Sequence, residues 1–271
     1  MIRKTLYIFV LCLFGCKNIE YYSHYKLNNN PKKLTIVNYD IKYNSDSTYS
    51  KTKSGVSYYE FDSKGRMKND YEINPTKENK NIYKYDDKGN LIEVSNYNSD
   101  SVLALSFKSY YDRKNRIFKK EVIYPNSKKI TEYEYDGKNK TFIKEYNSDS
   151  LLTDITESIL NKKGEIIESI YMNNEGETRS KRKFNYDNYG NQIKSSLYRK
   201  DNTLKDYSLF FYDKYNNRIR VQNFYIRNND TIKSGDTIIE RKYDKYKNAI
   251  EVKMKSKDGK YFSLKEYLIS Y

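Results

Sequence analysis

The chain has 271 residues, with 51 Lys and Arg against 36 Asp and Glu, and its formal net charge is +15. Two cysteines and a single histidine exclude a disulfide-rich scaffold and leave little material for histidine-based catalysis. Hydrophobic residues make up 37% and charged residues 32%, which is too few apolar side chains for a thick two-layer core. The 32 tyrosines can offset this, because a tyrosine ring packs while its hydroxyl stays in water.

The N-terminal segment, residues 1–15, is predicted to be a signal peptide. Arg3 and Lys4 form a positive region, and Leu6–Phe14 is an apolar run. The run is too short to span a bilayer, which takes about 20 apolar residues. A basic start followed by a short apolar run is typical of a secretory signal.

The sequence Leu13-Phe14-Gly15-Cys16 resembles the lipobox of bacterial lipoproteins. The resemblance implies cleavage before Cys16, acylation of that cysteine and attachment to a membrane of the cell envelope, at the outer membrane or cell surface. Residues 16–33 then form a lipidated tether, and the mature chain carries a net charge of +13. The alternative is an ordinary signal peptide or uncleaved anchor that contains Cys12 and Cys16 by coincidence.

A turn pattern recurs eight times at intervals of about 25 residues, which is typical of a repeat architecture. Each turn begins with Asp or Asn after an aromatic residue or Leu, and in seven of eight cases Gly or Asn follows three residues later. The leading residues are Asp62, Asp86, Asp112, Asp136, Asn161, Asp187, Asp213 and Asp244. The glycines are Gly65, Gly89, Gly164 and Gly190.

This chemistry predicts β-hairpins. An Asp can accept a hydrogen bond from the backbone N–H two residues on, and Gly or Asn accepts the left-handed conformation that closes the loop. A second polar turn follows in each unit, so each unit holds two strands. The aromatic row expected along one face, near one edge, is Tyr85, Tyr111, Tyr135, Tyr186, Tyr212 and Tyr243.

The predicted fold is therefore all-β: one elongated antiparallel β-hairpin repeat domain over residues 34–271, with eight turn units and about 17–18 strands in a single twisted or curled meander sheet. We expect the open or gently curled form rather than a closed shell. We expect a closed shell to need a continuous buried inner face, but Ser109, Ser158 and Arg241 occupy one repeated position, three before the leading turn residue.

The turns also carry a family resemblance. Tyr85-Asp86-Asp87-Lys88-Gly89-Asn90-Leu91 and Tyr186-Asp187-Asn188-Tyr189-Gly190-Asn191 resemble the signature of the RHS or YD-repeat family, Tyr-Asp-x-x-Gly-Asn before an apolar strand. The resemblance covers about residues 56–255. It implies a β-repeat that can curl into a shell, although the spacing is longer than usual and no core-closing or toxin segment follows.

An enzyme is not expected. The single histidine, His24, lies in the predicted tether, a poor place to hold catalytic geometry. No Cys/His cluster has metal-ligand spacing and no glycine-rich phosphate loop occurs, so no catalytic residue, metal or cofactor is predicted. Calcium on the row of turn aspartates is the alternative, but each turn offers mostly one Asp and turn chemistry explains it.

The tyrosines and the positive charge each have two interpretations. The tyrosines can form cross-strand ladders, or they can offer stacked faces to sugars. The lysines can protect strand edges, or they can favour anionic polymers and lipids; they are spread along the chain.

Three hypotheses follow: a non-catalytic envelope lipoprotein with a binding or interaction surface, a carbohydrate-binding or carbohydrate-processing accessory using Tyr and carboxylates, and a structural spacer. Expected partners are the membrane through Cys16 and an anionic polysaccharide or envelope protein, not nucleic acid.

Overall fold

The structure is a computed structural model that describes residues 27–44, 48–74 and 77–271. The predicted signal peptide, Cys16 and His24 lie outside the described residues. Within them, no helix is long and apolar enough to cross a membrane.

Eighteen strands account for most of the described chain, since β-branched and aromatic residues dominate between polar turns. They are β1 Lys33–Tyr43, β2 Tyr49–Phe61, β3 Met67–Asn74, β4 Lys77–Tyr85, β5 Leu91–Tyr97, β6 Leu103–Tyr111, β7 Ile117–Tyr124, β8 Ser127–Asp136, β9 Lys140–Tyr146, β10 Leu152–Leu160, β11 Ile166–Asn173, β12 Thr178–Tyr186, β13 Gln192–Arg199, β14 Leu204–Tyr212, β15 Arg218–Arg227, β16 Asp230–Tyr243, β17 Ala249–Ser256 and β18 Tyr261–Ser270.

Every strand pairs antiparallel with the next one along the chain, which confirms the predicted all-β antiparallel meander. The pairing continues in the same way from β7 to β18. The last strand then pairs with the first, with Leu34 opposite Ile269 and Ile36 opposite Tyr267. The sheet is therefore a closed barrel of 18 strands.

The expected open or gently curled sheet is wrong. Ser109, Ser158 and Arg241 do lie on one face of the closed sheet, as the register shows. Their polarity does not prevent closure, because the backbone hydrogen bonds of β1 and β18 close the ring. An 18-stranded ring is also wide enough that its interior need not be filled by apolar side chains.

Hairpin connections of the closed sheet alternate between two ends of the barrel. The eight predicted turns join β2 to β3, β4 to β5 and so on to β16 and β17, so all eight lie at one end. Contacts between successive turns bear this out: Asn90 bonds Asn115, and Asn191 bonds Asn216. We call this end the first rim and the opposite end the second rim.

The described chain begins at the first rim. Leu27 packs against an apolar cluster around Leu34, Ile36, Val252 and Tyr267. Asn28 exchanges hydrogen bonds with Asn248 and donates to the Tyr246 carbonyl. The far end of the predicted tether 16–33 is thus held on the barrel.

Candidate functional site

One face of the sheet, which we call the inner face, carries the ionisable groups most affected by burial. Burial raises the pKa of Asp70 and Glu145, raises that of Tyr111 to about 12 and lowers that of Lys120 to about 7. All four residues share one face by strand register. A closed sheet surrounds its inner face with protein, so desolvation there is expected.

The outer face carries alternating Lys and Glu that neutralise each other. Lys144 lies 2.6 Å from Glu134, and Lys51 lies 2.6 Å from Glu266. Lys119, 2.9 Å from Glu121, lowers the pKa of that carboxyl to about 2 through its hydrogen bond. The charged side chains at mid-strand on this face therefore form ion pairs with each other.

The predicted turn aspartates bind their own loops. Asp62 Oδ1 accepts the backbone N–H of Lys64 and of Arg66, both at 2.9 Å, and Oδ2 accepts Arg66 Nε at 2.7 Å. The same pattern of backbone bonds recurs at Asp112, Asn161, Asp187, Asp213 and Asp244. Asp86 accepts the N–H of Asn90 at 2.7 Å. These oxygens are occupied in shaping the loop.

One turn departs from the predicted pattern. Asp136 ends β8 and pairs with Lys140 in the ladder, and the left-handed residue is Gly137, at φ +62°, rather than Asn139. The two strands extend further into this hairpin, so its loop is shorter. Asp136 therefore lies at the end of β8 and not at the start of the loop. In the second turns, Gly176 is also left-handed, at φ +83°.

The tyrosine row lies on the inner face beside the first rim and links each unit to the previous one. The hydroxyls of Tyr85, Tyr111, Tyr135, Tyr186 and Tyr212 donate to the carbonyls of Met67, Leu91, Ile117, Ile166 and Gln192 at 2.8–3.0 Å. All five carbonyls adjoin a β-bulge just after the preceding turn. A bulge disrupts the ladder locally, and the tyrosine of the next unit supplies a donor there.

A polar wall on β3, β4 and β5 is the most connected group of side chains on the inner face. Asp70 Oδ1 accepts Asn81 Nδ2 at 2.7 Å, and Oδ2 accepts the Tyr83 hydroxyl at 2.8 Å. Asn96 Nδ2 donates to Asn81 Oδ1 at 2.8 Å. The four residues form one hydrogen-bonded chain, which we call the amide wall.

Three residues of the amide wall, Asp70, Asn81 and Asn96, line a cavity of about 130 Å³. The other lining residues are Ser57, Tyr59, Tyr71, Glu72 and Asn79. The cavity volume is well below that of sites that enclose drug-sized ligands. Its lining offers amide, carboxylate and hydroxyl groups beside aromatic rings. Such a surface suits the hydroxyl groups of a polar ligand that lies along the wall rather than one enclosed by it.

Two acidic residues lie opposite each other further round the inner face. Glu145 on β9 lies opposite Asp154 on β10, and after burial Asp154 is the next cause that raises the Glu145 pKa. Asp154 also accepts Arg179 Nη1 at 2.7 Å. On the inner face, this pair brings two carboxylates face to face, as carbohydrate-processing chemistry would require.

Sequence reasoning located the turns and the tyrosine row but missed the amide wall, Lys120 and the two facing acids. Alternation of side chains along each strand could have placed Asp70, Asn81 and Asn96 on one face. What was missing was the register between strands. Among residues 27–44, 48–74 and 77–271, no group of three or more His, Cys, Asp and Glu could hold a metal ion.

Comparisons with known proteins assign no family. No family model matches the chain, and no curated protein matches it. A solved porin-like protein from Bacteroides uniformis is similar at a TM-score of 0.33 and 8% identity, over 90% of this chain and 98% of its own.

A porin-like protein from Bacteroides vulgatus gives a TM-score of 0.30 and 12% identity, over 89% of this chain and 98% of its own. A structure described as TcdB2-TccC3-TEV gives 0.23 and 9%, over 83% of this chain and 16% of its own. These scores support no argument about function.

Proposed function

We propose that the protein is a non-catalytic lipoprotein of the bacterial cell envelope, anchored through Cys16, whose closed sheet presents a binding surface on its inner face. The N-terminal pattern of Arg3, Lys4, Leu6–Phe14 and Cys16 supports the anchor and the location. The observation that carries the binding role is the amide wall, where four polar side chains from three strands converge.

The ligand class that fits the wall is a polyhydroxylated chain such as a polysaccharide. Its hydroxyl groups can pair with the amides of Asn79 and Asn96, and tyrosine rings such as Tyr59 offer faces to sugar rings. Asp70 is already committed to Asn81 and Tyr83, so it positions the wall and is not a free general base.

The anchor is tested by labelling cells with a fatty-acid probe. The wild-type chain is expected to carry the label, whereas Cys16→Ser is expected to lose it. Cys12→Ser is the matched control and is expected to keep the label. Equal labelling of the Cys16→Ser chain would contradict the anchor.

The binding role is tested with a glycan screen on the chain from residue 17 onward. Asn79→Ala is expected to weaken binding of any hit by roughly 5- to 10-fold, since a hydrogen bond is worth about 1 kcal/mol. Asn185→Ala, an exposed amide on the outer face, is the control and is expected to leave binding unchanged. A screen without hits, or equal effects of both changes, would contradict a role for the inner face and would favour the spacer.

Carbohydrate processing is the second candidate, and the facing acids Glu145 and Asp154 favour it. A hydrolase would release reducing ends from a glycan, and Glu145→Gln would abolish that release. Binding of a glycan without any release of reducing ends would support the non-catalytic role.

A further inference from the structure

We propose that the first rim docks onto an anionic phospholipid surface, so that the barrel stands on the membrane that holds its lipid anchor. The inference deepens the proposed lipoprotein function by assigning the membrane-facing end. It rests on the charge, the exposed side chains and the chain path at that rim. Because it is tested on a chain without residues 1–16, its outcome is separate from that of the anchor.

The first rim carries a net positive charge, since the loops between its strands hold twelve Lys and Arg against eight Asp and Glu. The basic residues concentrate at the turn tips: in the three residues after each leading position, ten are Lys or Arg and one, Asp87, is acidic. The ten are Lys64, Lys88, Arg113, Lys114, Lys138, Lys162, Lys163, Lys214, Lys245 and Lys247. None of them forms an ion pair with another described residue, in contrast to the paired lysines at mid-strand.

The second rim has the opposite sign. Its described loops carry six acids, Asp100, Asp149, Glu175, Glu177, Asp201 and Asp258, against Lys200, Lys257 and Lys260. The alternation of hairpin turns between the two ends therefore separates charge along the barrel axis. An anionic surface attracts the first rim and repels the second, which defines an orientation.

The first rim also exposes aromatic and apolar side chains next to its cations. Tyr189 and Tyr215 stand at turn tips with 82% and 59% of their surface exposed. Just behind the turns, five of the seven bulge residues are exposed and apolar. They are Phe118, Ile167, Ile193, Ile219 and Ile250. Rings with a polar tip beside basic residues are the composition found where proteins meet lipid headgroups.

The described chain begins at the same end. Leu27 and Asn28 lie against the turn Asp244–Asn248, and the side chain of Asn30 lies close to Gly65 in the first of the eight turns. Cys16 precedes Leu27 by 11 residues, which span at most about 38 Å. A lipid on Cys16 would therefore be joined to the barrel at the first rim.

Binding is measured by sedimentation of the chain from residue 17 onward with vesicles. All strand pairings and the described N-terminal contacts lie within residues 27–271, so this chain retains them. We expect at least 10-fold stronger partition onto phosphatidylcholine vesicles with 30% phosphatidylglycerol than onto pure phosphatidylcholine. The binding should weaken as salt is raised, because salt screens exposed charges.

A matched pair of triple variants tests the rim. Lys138→Gln, Lys162→Gln and Lys214→Gln together are expected to weaken partition about 100-fold, equivalent to about 1 kcal/mol for each lysine. Lys200→Gln, Lys257→Gln and Lys260→Gln on the second rim remove the same charge and are expected to change it less than about 3-fold. Equal losses in both triples would show that only net charge matters and would overturn the proposal.

Orientation can be read directly because the chain has no tryptophan. Tyr189→Trp places one reporter on the first rim, and Leu151→Trp places one on the second rim, where Leu151 is 62% exposed. Anionic vesicles should shift the emission of the first variant to the blue and leave the second unchanged. A blue shift in the second variant, or binding to soluble anionic polysaccharide with none to vesicles, would overturn the proposal.

Discussion

At the scale of single residues, position on the closed sheet decides what each ionisable side chain does. Lys119 and Lys120 are neighbours in β7, but the first faces outward to Glu121 at 2.9 Å. The second faces inward near the ring of Tyr133, and burial lowers its pKa to about 7. Two residues of identical chemistry thus have opposite electrostatic environments because strand side chains alternate.

Lys120 is expected to make stability depend on pH. Its pKa falls from 10.5 to about 7 on folding, so between these values the unfolded chain binds more protons and stability rises with pH. The loss of stability caused by desolvation of the charged Lys120 side chain is therefore complete below pH 7. Lys120→Met should therefore stabilise the protein by about 1 kcal/mol or more at pH 6, and by much less at pH 10, in urea unfolding.

Lys119→Met is the control for this change, because it removes an outward lysine one residue away. It is expected to be neutral or destabilising, with no gain that is specific to low pH. An equal gain from Lys120→Met at pH 6 and pH 10 would contradict a buried ammonium group and would indicate a packing effect alone.

At the scale of the hairpin, left-handed residues shape both kinds of turn. Gly89 in a first turn has φ +88°, Gly190 has φ +85°, and Gly176 in a second turn has φ +83°. Eight non-glycine residues in the turns between described strands share this conformation, and seven of them are Asn or Ser. They are Ser101, Asn115, Ser150, Asn202, Asn216, Asn228, Asn229 and Lys247. The turn composition read from the sequence therefore reflects a backbone requirement.

Gly89→Ala and Gly176→Ala are expected to destabilise the protein by a similar amount, about 1 kcal/mol each, because both force an L-residue into the left-handed region. No non-neighbouring atom lies within 4 Å of the Cβ position at Gly176, and only Arg66 Nη1, at 3.7 Å, lies that near at Gly89, so strain rather than crowding causes the loss. Lys88→Ala, in the same turn, should stay within about 0.5 kcal/mol. Chemical denaturation measures all three, and a harmless Gly89→Ala would contradict the turn geometry.

At the scale of the whole molecule, closure is the feature that organises all others. It depends on β1 and β18, whose paired residues are more than 200 positions apart, for example Thr35 and Leu268. It removes the two free sheet edges that an open meander would expose. It also arranges the ten basic residues at the tips of the first turns, which span nearly 200 residues of sequence, around one rim.

Closure predicts a disulfide that an open sheet could not form. In the chain from residue 17 onward, which lacks both native cysteines, Thr35→Cys and Leu268→Cys together should form an intramolecular disulfide, since facing residues of paired strands lie within bonding reach. A gel-mobility shift reversed by reductant measures it.

The control pairs Thr35→Cys with Phe211→Cys, which lies on β14, a strand not paired with β1. It should remain reduced as a monomer. Failure of the first pair to close under oxidation, or equal closure of both, would contradict the β1–β18 seam.

The amino-acid sequence by itself determined the parts that local chemistry controls. Asp, Gly and Asn at a period of about 25 residues specify the turns, and the runs between them specify strands, so the all-β hairpin repeat and the tyrosine row follow without tertiary information. Only the tertiary structure decided closure, the amide wall around Asp70 and the shifted pKa of Lys120. These depend on strand register and on the meeting of β1 with β18, which bring together residues whose separation in the sequence carries no local signal.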